Sequence, residues 1–401
     1  MVDQQRSLQF SVRSADYIRN PYSFYRLLRE RDPVYFSSDG YWFLTKFEDV
    51  AAGLKDPRLR NSPAPFSLLN RKNIGKYIAA DVSSRLVSFL DSPDHIVPRR
   101  ILSSSFQEFF FEKSNAIERM AEKWTSAIED KKEIDFVTDF SVPYSVECIA
   151  EFFGIDAEGR GRLPSWSDAI FHLFHAFPNR DVFLRVNDSI KEFRGFMFER
   201  LTETRRTSRN DLFAQMMNME FQNTKLSDDQ IVDNAMLICA DAIGNVHNGL
   251  TTAVLTLLSH DDQLEKLKAN PILLSSAVNE CLRFESPAQF QGRIAGEDVE
   301  IRGRKIRKHS VVLLAIGSAN RDPDFVNEPD RFNIGRSKVT NLSFGLGPHR
   351  CIGVGLVTAG FEAALRKLFL SGKTLALLDQ KIEWVVRAGH RWPQSLKLQI
   401  N

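Results

Sequence analysis

No apolar run in this chain reaches the roughly 18 residues that a membrane-spanning helix needs, and its opening stretch, Met1-Val-Asp-Gln-Gln-Arg-Ser, is polar. A soluble, cytoplasmic protein is therefore expected, with no membrane partner. Charge of one sign is also missing, because 53 Lys and Arg face 51 Asp and Glu. That balance excludes bulk attraction to nucleic acid or to an anionic surface. Cysteine is scarce: Cys148, Cys239, Cys281 and Cys351 are the whole set, and their spacing is neither paired nor metal-like. A disulfide framework and a zinc site are thereby excluded, which leaves each thiol free for other chemistry. Nor does a glycine-rich dinucleotide fingerprint follow any strand-like run, and there is no flavin module or iron–sulfur cysteine set.

What the chain does have is a hydrophobic content of 43% with 31 Phe in 401 residues, enough for a large core around an aromatic-lined cavity. Nothing in the composition forces a division, so residues 1–401 are expected to form one domain, a helix-rich part joined to a small β-rich part. Helical periodicity runs through 15–33. Two short apolar runs around Ser38-Asp-Gly then predict a β-hairpin, and a short helix over 48–54 follows it. Residues 61–73, with Pro63, Pro65 and several Ser, read as a loop, whereas 106–201 read as successive amphipathic helices. Within the latter, Phe171-His-Leu-Phe-His-Ala-Phe177 is an aromatic cluster. Strands are expected over 297–301 and 310–314, and Arg302-Gly-Arg-Lys-Ile-Arg-Lys-His309 between them reads as solvated basic surface.

The organising stretch is Phe344-Gly-Leu-Gly-Pro-His-Arg-Cys351-Ile-Gly353. A thiolate binds iron strongly, and a buried one needs donors and positive charge nearby to keep its proton off. Gly345 and Gly347 permit positive φ and close approach to a flat ligand, Pro348 removes a competing donor, and later backbone N–H groups can point at the sulfur. His349 and Arg350 add donors for acidic groups on the ligand's rim. The helix expected over 356–369 would present its N-terminus to the thiolate. The spacing Phe-x-x-Gly-x-x-x-Cys-x-Gly, carried by Phe344, Gly347, Cys351 and Gly353, resembles the haem-binding loop of the cytochrome P450 family.

The resemblance covers roughly residues 15–400 and implies a mainly α fold with a smaller β-sheet region. Haem b would lie between the long central helix and the loop of its axial ligand, Cys351. His95 and Arg99, four apart on one helix face, match the family's His-x-x-x-Arg and are expected at the haem propionates, with Arg293 and His349. Pro98 departs from that pattern and is expected to delay or kink the helix start. Glu280-Cys-Leu-Arg283 matches Glu-x-x-Arg, and with Arg331 of Pro329-Asp-Arg-Phe332 it implies a buried structural network. The family's roof region suggests Phe171, Phe174 and Phe177 as contacts for an apolar substrate, and Gln289 and Phe290 run toward the same pocket. Electrons would come from a ferredoxin or flavodoxin and its reductase.

The longest helical pattern, 231–259, is apolar on nearly all sides yet holds Asp241, Gly244, Asn245 and His247 at its middle. A buried acid needs a partner or a shifted pKa. The position matches the family's central helix, where most members carry an acid–threonine pair that helps deliver protons. Counting back from Glu280 places Gly244 where the acid is expected and Asn245 where the threonine is expected. Asn245 can orient water, Gly244 can widen the groove and admit water, and Asp241, one turn earlier on the face of Asn245, replaces the acid or binds a polar or cationic substrate group. His247 is given no catalytic role. The resemblance implies a monooxygenase that inserts one oxygen atom from O2 into an apolar or acyl-type small molecule, free or carrier-bound, in natural-product tailoring. Peroxide-driven or rearrangement and coupling chemistry is the alternative, with a haem-binding sensor or carrier behind it.

Overall fold

The computed structural model describes residues 11–174, 180–336, 340–372 and 374–401. Its axis is the helix Asp228–Leu258, which starts with a capping box: Ser227 and Gln230 satisfy each other's backbone N–H groups. This helix is buried along most of its length and packs against Val142–Phe152, Ala157–Phe171, Arg180–Thr207, Leu274–Phe284 and Val354–Phe369. Immersion in that apolar bundle forces its polar residues to find partners. Asp233 is held by Arg85 at 2.5 Å and Arg194 at 2.6 Å, and the Asn234 side chain accepts from the Val87 N–H and donates to the carbonyls of Arg85 and Gln230.

The first helical pattern is split. Ala15–Arg19 and Pro21–Arg31 are separate helices, because Pro21 can begin a helix but not continue one, and Asn20 caps the second by accepting from Tyr22 N–H. The hairpin follows, Val34–Phe36 antiparallel to Tyr41–Leu44, then the short helix Phe47–Gly53. Tyr41–Leu44 continues in parallel register to Val311–Leu314, which pairs antiparallel with Gln291–Ala295, and Leu59–Arg60 forms the far edge. Arg293 sits opposite Val312 in this five-stranded sheet. The helix after His95 runs from Ile96 to Ile128. Pro98 neither delays nor kinks its start: it lies in the first turn, where an amide has no intrahelical acceptor to lose.

The basic stretch at 302–309 is exposed but paired rather than merely solvated. It forms the hairpin Val299–Ile301 with Arg304–Ile306, and its cations meet carboxylates: Arg302 with Asp49 and Glu48, Arg304 with Asp32, and Lys305 and Arg307 with Asp298.

Glu280 and Arg283 form a bidentate pair at 2.7 and 2.8 Å, both almost wholly buried. Arg283 also donates to the carbonyls of Asn320, Pro329 and Arg331. The expectation that the Arg331 side chain completes this network is overturned. Its side chain is 62% exposed and reaches Glu328, and only its carbonyl takes part. Arg336 is the third member instead, donating to Glu280 at 3.3 Å and to the carbonyls of Asn327, Glu328 and Arg331, while Asn333 N–H adds a bond to Glu280. Chain geometry decides this, because the turn at 333–336 folds Arg336 back over Glu280. From the pair the bonds continue forward. Asn320 binds Ser286, Ser343 and the Leu342 N–H, two residues before Phe344. Arg336→Ala should therefore cost about 1–3 kcal/mol, since it strips a charged donor from a buried carboxylate, whereas Arg331→Ala should stay within about 0.5 kcal/mol. Denaturant midpoints compare the two, and equal losses would return Arg331 to the network.

Candidate functional site

The stretch from Phe344 to Gly353 is a tight loop. Gly345 and Gly347 adopt φ of +67° and +78°, and a Cβ at Gly347 would stand 2.9 Å from Lys55 Cγ and 3.1 Å from the Leu54 carbonyl. Both the conformation and the space demand glycine there. Cys351 N–H closes the loop on the Phe344 carbonyl at 2.8 Å, Gly353 N–H donates to Cys351 Sγ at 3.3 Å, and the helix Val354–Phe369 begins directly after. Phe344 is half-buried against the main core. Among the four cysteines Cys351 alone is exposed. Protein nevertheless surrounds it closely enough that desolvation pushes its thiol up to about 11, with the Gly353 N–H and nearby Arg99 and Arg350 opposing. A group both accessible and desolvated faces an internal cleft, and such a thiol ionises beside a strong positive centre such as a metal ion.

Four basic side chains converge beside it. The rings of His95 and His349 lie 4.1 Å apart between centroids. Arg99 donates to the Arg350 carbonyl, and Arg293, 5% exposed, donates to the Gly292 carbonyl and to Gln291 Oε1. Desolvation lowers all four: His95 to about 4, His349 to about 3 with His95, Arg293 and Arg99 adding repulsion, Arg293 to about 10, and Arg99 by an amount set against the pull of Cys351. The nearest counter-charge, Asp91, is engaged by the N–H groups of Asn61 and Ser62. Among the described residues His95 Nε2 is buried without a hydrogen-bond partner, and no carboxylate pairs with Arg99 or Arg293. Desolvated arginines and an orphaned imidazole nitrogen around an accessible thiol fit a flat metal complex with acidic substituents.

Above the thiol, the middle of Asp228–Leu258 breaks the rule of partnered polar groups. Asp241 and Asn245, one turn apart, are partly exposed, and neither has a side-chain hydrogen bond among the described residues. Burial pushes the Asp241 carboxyl up to about 7, and its charge is close enough to act on Cys351. Gly244 does not open a groove to water, contrary to the expectation. The Phe171 ring fills it, so that a Cβ at residue 244 would meet Phe171 Cε2 at 2.0 Å. Phe171 is itself buried, edge-on to His390 and Trp392, with the Arg387 guanidinium 5.7 Å from its centroid. It therefore packs the roof helix onto the central one. Phe177 and the side chain of Phe174 lie outside the described residues.

Gln289 and Phe290 do not run into this cleft. Gln289, 1% exposed, accepts from Tyr25 OH and donates to Tyr22 OH and the Ser286 carbonyl, while Phe290 packs edge-on to Phe43 and against Gly389. Both belong to the aromatic cluster of the N-terminal helices, because the strand Gln291–Ala295 enters the sheet from that side. The reading from sequence missed Arg336 and the Phe171–Gly244 contact. An unusual glycine in a buried helix could have announced that an aromatic ring needed its space.

A sequence profile of the family described as Cytochrome P450 matches residues 164–370. The chain is 31% identical to the "Biotin biosynthesis cytochrome P450" of Bacillus subtilis (strain 168), over 94% of this chain and 95% of the relative. It is 28% identical to the "Polyketide biosynthesis cytochrome P450 PksS" of the same organism, over 98% and 99%. Among solved structures it superposes on P450BioI in complex with hexadec-9Z-enoic acid ligated acyl carrier protein with a TM-score of 0.88, at 29% identity over 96% and 99% of the two chains. On CalO2 the TM-score is 0.89, at 28% identity over 98% and 99%.

Two outcomes follow from this geometry. Gly244→Ala should cost about 1–3 kcal/mol through overpacking, more than the roughly 1 kcal/mol alanine gains over glycine in a helix, and Phe171→Leu should relieve much of it. A denaturation double-mutant cycle checks the pair, and simple additivity would mean that the ring does not occupy the groove. Among the described residues His247 has a buried Nδ1 without a partner, and burial holds the ring at about 4, below its ordinary 6.5. The folded state favours the neutral ring, so its contribution is complete above pH 6.5 and is lost as pH falls toward 4. Melting temperatures across that window should fall less steeply in His247→Gln. An unchanged profile would mean that the ring takes up its proton equally in the folded and unfolded chain.

Proposed function

From the premise that the chain belongs to the cytochrome P450 family and is a haem-iron monooxygenase, we propose that Cys351 is the axial ligand of a haem b. We further propose that the substrate is an apolar or acyl-type small molecule modified during natural-product biosynthesis. One observation carries this reading: desolvated cations without carboxylate partners surround an accessible thiol. Arg99, Arg293, His95 and His349 would hold the haem's propionates, and the Gly353 N–H would hold the sulfur. When bound, the haem supplies activation of O2 at iron and transfer of one oxygen atom to the substrate.

The chain's own part is to position, exclude water and manage protons. The Phe171 ring closes the groove at Gly244, keeping bulk water off the centre of the helix. Asn245 orients a water or the oxidant through its amide, though an amide relays a proton less readily than a hydroxyl. Electrons would come from a ferredoxin or flavodoxin with its reductase, in the cytoplasm. Similarity to the polyketide and biotin enzymes supports a biosynthetic role, and the acyl carrier protein bound to one structural neighbour supports a carrier-tethered substrate. No described helix is long and apolar enough to cross a membrane.

A second reading, peroxide-driven oxygenation or a rearrangement or coupling, is favoured by one feature: Phe171 occupies the place of the acid that would normally adjoin a threonine. Turnover with hydrogen peroxide but not with O2 and redox partners would select it. The first reading is tested by the difference spectrum of reduced protein with carbon monoxide, and by the pyridine haemochrome for haem b. A strongly red-shifted Soret band should appear in wild type and vanish in Cys351→Ala, and Arg293→Ala should weaken haem retention roughly ten-fold. A band indifferent to Cys351 would overturn the assignment.

A further inference from the structure

Asp241 is a buried acid without employment in the protein itself. Most other polar side chains of the central helix are occupied: Asp233 by two arginines, Asn234 and Asn248 by backbone groups, Thr251 by Ser141, Thr252 and Thr256 by carbonyls one turn back, while among the described residues Asn245 and His247 Nδ1 lack partners as Asp241 does. Asp241 has neither a hydrogen bond nor an ion pair among the described residues, yet it is partly exposed toward the cleft that Cys351 faces. A structural carboxylate would have a donor, and a proton relay needs a chain of groups that can pass a proton onward. The nearest polar neighbour on its face is the amide of Asn245, which does neither.

The charged groups on the surrounding elements do not reach it. Asp168, on the roof helix, is paired with Arg387 and His172. Arg99, Arg293, His95 and His349 cluster beside Cys351 and exert no pull on Asp241, whose acidity is set by burial alone. The Phe171 ring lies against Gly244, three residues on, and already has the Arg387 guanidinium over it at 5.7 Å. A carboxylate desolvated in this way gains most from a full positive charge.

We infer that Asp241 anchors a cationic nitrogen of the substrate, so that the natural substrate is a largely apolar molecule carrying one ammonium group. This deepens the reading under Proposed function and rests on it. Among the described residues the chain offers no competing cation for that carboxylate, and the other polar groups on its helix face, the amides of Asn245 and Asn248, are neutral.

Calorimetry on the haem-loaded protein tests it with three probes of equal chain length below their micellar concentrations: dodecyltrimethylammonium, which cannot ligate iron, 1-dodecanol and dodecanoate. The ammonium should bind about ten-fold tighter than the alcohol, and Asp241→Asn and Asp241→Ala should abolish that preference. Preference for dodecanoate, or a preference for the ammonium that survives both substitutions, overturns the inference. Thermal melts of the variants give a second reading. Loss of an unpartnered buried carboxyl should leave Tm unchanged or raised, and a fall would reveal a partner within the protein. The carbon monoxide spectrum of the same preparations separates the two hypotheses. A normal band without cation preference sinks this inference alone, whereas a missing band in wild type sinks the haem-thiolate reading with it.

Discussion

The buried ion pair of Glu280 with Arg283 is the constraint on which the rest depends. Two charges taken out of water are tolerable only when every donor and acceptor around them is matched, and here the matching draws in chain from far away. The carbonyls of Asn320, Pro329 and Arg331, the Asn333 N–H and the Arg336 guanidinium all converge on the pair. Asn320 passes the restraint to Leu342 and Ser343, and Cys351 N–H closes on Phe344 beyond them. The position of the thiol thus follows from an electrostatic requirement more than fifteen residues away in the chain.

Against that satisfied network, the cleft around Cys351 stands out by what it leaves unpaired. Among the described residues His95 lacks a partner at Nε2, Arg293 donates only to neutral oxygens, and Asp241 has no cation. Each would be costly in an ordinary core. Their concentration on the two sides of one cleft, cationic beside the thiol and anionic on the central helix, argues that ligands rather than side chains complete them.

The contact of Phe171 with Gly244 couples the roof to the central helix. With the ring in place no side chain fits at residue 244, so the loss of an acid there and the presence of the phenylalanine are one structural choice. The same contact links Phe171 to His390 and Trp392, and through Arg387 to Asp168. A change at any of these residues should therefore be felt at the centre of the helix.

The amino-acid sequence by itself determined the elements whose signals are local. The Cys351 loop follows from its glycines and proline, the hairpin from alternation around Ser38-Asp-Gly, and the central helix from its apolar length. The likeness of the whole chain to the family was legible from motif spacing alone. Tertiary structure decided what depends on distant partners. It chose Arg336 over Arg331, because only chain folding says which of two nearby arginines meets a buried carboxylate. It turned Gln289 and Phe290 toward the N-terminal aromatics, because sheet register sets the face on which a residue lands. It filled the groove at Gly244 with a ring some seventy residues earlier in the chain, since the absence of a side chain tells nothing of what packs into its space.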